Sequence, residues 1–168
     1  MKSFEASSDH LRAGIFIPNK NWIAVAGDDR HIRIFNYNTL AKLEEKDAHS
    51  DFIRTLAAHP SDNILLSGSD DYSIRMWSYD EKAKLTLKKE FIEHTNFVMM
   101  VRFNPKEPTY FASASTDTTV KIWNIAKTNS NITLKGHISG VNGLAFCHGE
   151  EPFLATASDD KTVKIWDT

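Results

Sequence analysis

The sequence predicts an all-β protein built from four similar sheet units, and three observations carry that reading. One phrase recurs: Ser67-Gly68-Ser69-Asp70-Asp71 leads to Trp77, Ala26-Gly27-Asp28-Asp29 to Phe35, Ala114-Ser115-Thr116-Asp117 to Trp123, and Ala157-Ser158-Asp159-Asp160 to Trp166. Each aromatic stands six residues after its Asp, and successive aromatics are 42, 46 and 43 residues apart. Between turn and aromatic the residues alternate apolar and polar, as in Ile74-Arg75-Met76, which is strand period. The small residues and Asp that come first stop one strand and support a tight turn by bonding nearby backbone amides. Finally, His49, His94 and His137 precede their aromatics by 28, 29 and 29 residues.

A period of about 40–45 residues closing on a Trp-Asp pair, literal in Trp166-Asp167, is the mark of WD40 β-propeller blades. The resemblance implies a buried hydrogen-bonded chain in each blade, running through a His, the turn Asp, a Ser and the Trp. The sets are His49-Asp71-Ser69-Trp77, His94-Asp117-Ser115-Trp123 and His137-Asp160-Ser158-Trp166. A satisfied polar chain ties the turn to the blade, whereas a half-satisfied one costs stability. The first unit carries Ser7, Gly27 and Phe35 at the equivalent places and keeps only Asp29, so its blade is expected to rely on apolar packing.

The units divide the chain into residues 7–46, 47–91, 92–134 and 135–168, with 1–6 in the place of an outermost strand of a preceding blade. Strands are expected at 11–17, 22–26, 32–36 and 42–46 in the first unit, and at 53–58, 64–67, 74–77 and 85–91 in the second. The third has 98–103, 110–113, 119–123 and 131–134. The fourth has 141–146, 153–156 and 162–166 and then lacks an outer strand. Turns carrying Pro18, Pro60 and Pro105 separate the first two strands of three units. WD40 rings usually have seven blades, so four would form an incomplete propeller spanning about 206°. The chain is expected to be a piece of something larger or half of an assembly. Apolar end faces near Ile15, Ile17, Leu144 and Phe146 would be left open.

Composition narrows the function. No apolar run approaches a spanning helix, and the start, Met1-Lys2-Ser3-Phe4-Glu5, lacks the apolar core of a signal peptide. Cys147 is alone, which offers neither a disulfide framework nor a cysteine metal site and fits a reducing, cytoplasmic compartment. With 20 basic and 22 acidic side chains the net charge is −2, and no nucleic-acid partner is expected. The lysines between Lys82 and Lys89 are interleaved with Glu81 and Glu90 and read as a solvated outer strand, a contact with phosphates or lipid headgroups being the alternative. There is no nucleophile elbow, Walker loop, HExxH or cysteine pair, so no catalytic residue, metal or cofactor is assigned. The Asp-Asp pairs invite a two-carboxylate hydrolase reading, but one Asp of each belongs to the repeat and the pairs lie on different blades.

Binding on a propeller concentrates in the loops of its faces. Two places per blade project onto the narrow face: the loop before the inner strand, and the residue before the structural Asp. These give Asp9, Arg12 and Asp28; Asp51, Phe52, Arg54 and Asp70; Asn96, Phe97 and Thr116; and Ser139, Asn142 and Asp159. Acidic Asp51 and Asp70 thus fall close to Arg12 and Arg54. Such a mixture suits a ligand with both ammonium and carboxylate groups, or else a set of loop charges that pair with each other.

Several phrases are more specific. Lys20-Asn21-Trp22, Ile34-Phe35-Asn36-Tyr37-Asn38-Thr39, Ala48-His49-Ser50-Asp51-Phe52-Ile53-Arg54, Asn104-Pro105-Lys106 and Gly140-Val141-Asn142 resemble the first propeller of the coatomer beta-prime subunit. The likeness runs from Leu11 to Trp166 and falls on that propeller's second to fifth blades. It implies a non-enzymatic module of the COPI coat, in Golgi-to-endoplasmic-reticulum and intra-Golgi vesicle transport, that reads C-terminal dilysine signals of membrane cargo. Asp51 and Asp70 would hold a cargo lysine, Arg12 the terminal carboxylate, and Arg54 would support the site. Asp28, Phe52, Asn96 and Phe97 would be further contacts. Implied partners are dilysine tails and other coatomer subunits, with membrane association only through the coat, on the Golgi and its vesicles. A generic WD40 interaction scaffold, or a nonfunctional partial copy, is the alternative.

Overall fold

The computed structural model describes residues 3–149 and 151–168. They form four antiparallel meanders with no α-helix among them, and no helix is long and apolar enough to cross a membrane. The first sheet orders β1 (Leu11–Ile17), β2 (Trp22–Gly27), β3 (His31–Asn36) and β4 (Lys42–Asp47) from the inside outward. The second has β5 (Ile53–Ala58), β6 (Ile64–Ser69), β7 (Ile74–Tyr79) and β8 (Leu85–Phe91). The third has β9 (Val98–Phe103), β10 (Tyr110–Ser115), β11 (Val120–Asn124) and β12 (Ser130–Leu134). The fourth has three strands, β13 (Val141–Phe146), β14 (Phe153–Ser158) and β15 (Val163–Asp167).

The inner strands β1, β5, β9 and β13 pack beside one another in chain order, so the blades fan out as an open arc of a propeller. Alternation along each strand gives every blade two apolar faces, and neighbours bury them against each other. Ile32, Ile34 and Ala24 meet Ile53, Leu65 and Trp77 between the first two blades. Phe91 stands edge-on to both Phe111 (5.0 Å) and Trp123 (5.4 Å) between the second and third. Val120 and Ile122 meet Val141, Leu144 and Leu154 between the third and fourth. Among the described residues no such cluster joins the fourth blade to the first. The open residues are neighbours of those named rather than the named ones themselves. Ile17 and Leu144 are buried, whereas Phe16, Val163 and Ile165 are 67%, 68% and 70% exposed. Ile17 and Leu144 lie on the strand faces turned toward the neighbouring blade; their alternates point out of the arc.

The buried polar chain is present in three blades, with one correction. His49 Nδ1 meets Asp71 at 2.8 Å, while Nε2 meets Ser67 Oγ at 2.7 Å and the Trp77 indole donates to the same oxygen at 2.9 Å. The third blade repeats it through His94, Asp117, Ser113 and Trp123, and the fourth through His137, Asp160, Thr156 and Trp166. The hydroxyl is therefore Ser67, Ser113 or Thr156, not Ser69, Ser115 or Ser158. Both candidates share a strand face, but Trp77 is paired with Leu65, and Ser67 is its diagonal neighbour, within an indole's reach. Ser69 lies two residues nearer the turn, where it donates to Asp51 O (3.1 Å) and accepts from Asp71 N (3.1 Å). Ser115 and Ser158 do the same toward Asn96 O and Ser139 O.

The first blade is also less apolar than expected. Ser7 Oγ donates to Asp29 at 2.6 Å, and Arg33, held against Glu45, donates to the same carboxylate at 2.5 Å. Val25 and Phe35 occupy the places of the hydroxyl and the Trp, and both are buried. Residues 3–6 form no strand; the Phe4 ring instead stands edge-on to Phe35, with centroids 4.9 Å apart. Met1 and Lys2 of that expected outer strand lie outside the described residues.

Candidate functional site

The narrow-face site begins with an irregularity of backbone. In every blade the inner strand shifts register near its start: between Leu11 and Ala13, Ile53 and Thr55, and Val141 and Gly143, and in the third blade opposite Ala114 and Ser115. A bulge removes one residue from the ladder and re-aims its side chain. The extra residues are Arg12, Arg54, Asn142 and, in the third blade, Met99. Each of the first three reaches the residue before the structural Asp. Arg12 grips both oxygens of Asp28, with Nη2 to Oδ2 at 2.7 Å. Arg54 grips both oxygens of Asp70, with Nε to Oδ1 at 2.7 Å. Asn142 donates to Asp159. The third blade has Met99 opposite Thr116 and no such pair.

Two aromatic rings join these pairs into one surface. The Arg12 guanidinium lies 5.7 Å from the Phe52 ring centre, and Arg54 lies 6.0 Å from Phe52 and 5.9 Å from Phe97. Tyr72 extends the row, 6.0 Å from Phe97. At these distances a cation is drawn to the ring quadrupole. Asp51 Oδ1 accepts from the Phe52 amide (2.8 Å) and Asn96 Oδ1 from the Phe97 amide (2.9 Å), so equivalent residues set the two rings in the same way.

The charges interact beyond their pairs. The Arg12 hydrogen bonds hold the Asp28 carboxyl below the usual range, against slight burial and with help from the Arg12, His10 and Arg54 charges. Bonding to Asp70 raises the Arg54 guanidinium, against its burial, and the Asp70, Asp28 and Asp51 charges add to it. The side chain of Asp70 is only 4% exposed and both its oxygens face Arg54. Asp51 has no ion-pair partner among the described residues. Two guanidiniums and three carboxylates leave the cluster with one surplus negative charge, and Asp51 carries it.

The structure thus brings Arg12, Asp28, Asp51, Phe52, Arg54, Asp70 and Phe97 into one patch, with Asn96 shaping its edge. It sets Asn142 and Asp159 in a separate pair on the fourth blade. Tyr72 was absent from the expected set. It follows the structural Asp with φ of 71°, and Arg30, Thr118 and Lys161 repeat that left-handed turn in the other blades. The repeat signals the turn, but nothing in sequence says that its side chain reaches Phe97. Among the described residues no group of His, Cys, Asp and Glu is arranged to hold a metal ion.

Comparison with known proteins agrees with this architecture. The family described as WD domain, G-beta repeat matches residues 1–36, 40–78, 85–124 and 128–167. The coatomer subunit beta' of Rattus norvegicus is 44% identical over 149 residues, 89% of this chain and 16% of that protein. The coatomer subunit beta' of Drosophila melanogaster is 47% identical over 62 residues, 37% of this chain and 7% of that protein. Coatomer subunit beta'-1 of Arabidopsis thaliana is 48% identical over 63 residues, 37% of this chain and 7% of its own length. The chain therefore spans a small part of these relatives. With family matches in all four blades, it belongs to the WD40-repeat family.

Proposed function

We propose that the chain is a non-enzymatic recognition module of the coatomer beta' kind, and that its narrow face takes the C-terminal dilysine tail of membrane cargo. The observation that carries this reading is the surplus carboxylate of Asp51 beside two guanidiniums and the Phe52 ring. A lysine ammonium would meet Asp51 and lay its methylenes on Phe52, while the terminal carboxylate would take Arg12 from Asp28. Because both arginines already have partners, binding is an exchange of ion pairs. Asp70 then acts chiefly by neutralising Arg54, whose free charge would repel the ammonium. On this reading the chain works in the cytoplasm with other coatomer subunits, in COPI transport between Golgi and endoplasmic reticulum and within the Golgi, and meets membranes through the coat.

Calorimetric titration of a peptide ending in Lys-Lys-Ala-Ala tests the proposal. A charge-assisted contact contributes about 1.5–3 kcal/mol, so Asp51→Ala should weaken binding about tenfold or more. Asp70→Ala should weaken it as well, and amidating the peptide should do so through Arg12. Binding indifferent to both Asp variants removes the assigned site. The closed Arg12–Asp28 and Arg54–Asp70 pairs favour a second reading, an interaction scaffold without a cargo site. On that reading the peptide gives no saturable heat.

A further inference from the structure

The opposite ends of the inner strands hold a second surface that the narrow-face reading does not use. Where β1, β5 and β9 finish, Pro18, Leu56, Pro60, Phe103 and Pro105 line a cleft of about 380 Å³ whose single charged wall is Arg102. A second cleft, of about 210 Å³, opens on the other side of Arg102, Phe103 and Pro105 and runs to Leu144 and Phe146 at the end of β13. No carboxylate lines either cleft. Arg102 therefore stands as a partition between two hollows, the first apolar and the second lined also by His148.

Its situation is unlike that of the other placed arginines. Arg12, Arg33, Arg54 and Arg75 each face a carboxylate, and Arg30, exposed like Arg102, lines neither cleft. Arg102 has no ion pair among the described residues, and its one hydrogen bond runs from Nη1 to Val101 O at 2.8 Å. Its Nε–H and Nη2 edge, the fork that grips a carboxylate in two parallel bonds, is left to whatever enters the groove. Desolvation without any balancing charge lowers its affinity for the proton. Arg102 is itself exposed, so an incoming carboxylate would gain a charge-assisted bond to a guanidinium that has no competing ion pair.

We propose that this groove binds an extended peptide that carries an Asp or Glu flanked two residues away on each side by bulky apolar side chains. In an extended chain alternate side chains point the same way. The acid would meet Arg102 while its neighbours at plus and minus two fill the two clefts. Proline and aromatic walls suit apolar side chains. A nucleic acid or an anionic membrane would need an array of cations, and the groove holds one arginine.

A random heptapeptide phage library panned against the purified chain tests this. Clones with an acidic residue between apolar residues two positions away should be enriched about tenfold or more, since a charge-assisted contact is at stake. The enrichment should vanish on Arg102→Gln, survive partly on Arg102→Lys, and be unaffected by Asp51→Ala on the far side of the molecule. Urea midpoints equal to the parent's would show that the variants are folded. Absence of that motif among selected clones overturns the proposal, as does enrichment undiminished by Arg102→Gln. So does a dimer, seen by sedimentation, that Phe103→Ser dissolves, or Arg102-dependent pelleting with phosphatidylserine vesicles in place of peptide capture.

Discussion

A single hydroxyl decides how well each blade is tied together. The Asp71 carboxylate fixes the Nδ1–H tautomer of His49, so Ser67 donates to Nε2 and accepts from the Trp77 indole, and both ring nitrogens of His49 and the indole N–H are partnered. Ser67→Ala strands two buried nitrogens and should cost about 1–3 kcal/mol. Ser69→Ala gives up two turn bonds and should cost about 0.5–1.5 kcal/mol. Urea unfolding of the two variants checks the order, and a larger loss at Ser69 would contradict it. The carboxylates add a pH dependence. Burial alone would raise the Asp71 and Asp117 carboxyls, but the His rings and the Ser73 and Thr119 hydroxyls outweigh it and hold both far below the ordinary 3.8. In the unfolded chain they titrate near that ordinary value, so it binds more protons than the folded chain as acid is added. Their contribution is therefore fully present above about pH 4 and is lost as pH falls toward the depressed folded values. Denaturation midpoints should fall below pH 4 in the parent and change less steeply with Asp71→Asn and Asp117→Asn together. The sequence showed the His, Asp and Trp by their spacing. It could not choose between two hydroxyls on one strand face, because that choice depends on cross-strand register.

Each blade is one meander, and the first shows how an element can depart from its repeat and still close. Three blades place Ser69, Ser115 or Ser158 at the end of the second strand; the first places Gly27 there. The His10 carbonyl oxygen stands where that residue's Cβ would be, 2.0 Å from its ideal position, so the entering loop has closed over the space a side chain would need. The Asp28 amide bonds the same carbonyl at 3.0 Å. Restoring the repeat with Gly27→Ser should therefore destabilise the protein by about 1–3 kcal/mol, although it matches the other blades. A thermal melt raised by that substitution would show that the loop yields. The strand positions were legible because alternation and turn residues agree, whereas the bulges were not. The sequence placed Arg12, Arg54 and Asn142 on the narrow face but as second residues of regular inner strands, and only the shifted register explains why they point at Asp28, Asp70 and Asp159.

At the scale of the whole molecule the arc leaves its fourth blade uncovered. Across that sheet the pairs Gly143–Ala157–Val163 and Ala145–Ala155–Ile165 line up on one face, with Phe153 beside them, and β15 is the outer edge with an unpaired ladder. At the other end Phe16 projects beside Tyr37 (5.5 Å). The repeat count made an open arc legible, but not which member of each alternating pair faces out, because that is set by the blade packed against it. An apolar sheet face joined to an open strand edge favours association. The chain should self-associate at micromolar concentration, with each fourth blade covered by another copy. Val163→Lys combined with Ile165→Glu should shift sedimentation velocity toward the monomer. Both side chains are largely exposed, so the urea midpoint should stay within about 0.5 kcal/mol of the parent. A parent chain that sediments as a monomer and leaves a hydrophobic dye dark would mean that this face is satisfied in some other way. A double variant that unfolds much more readily would mean that the face is packed against the chain itself.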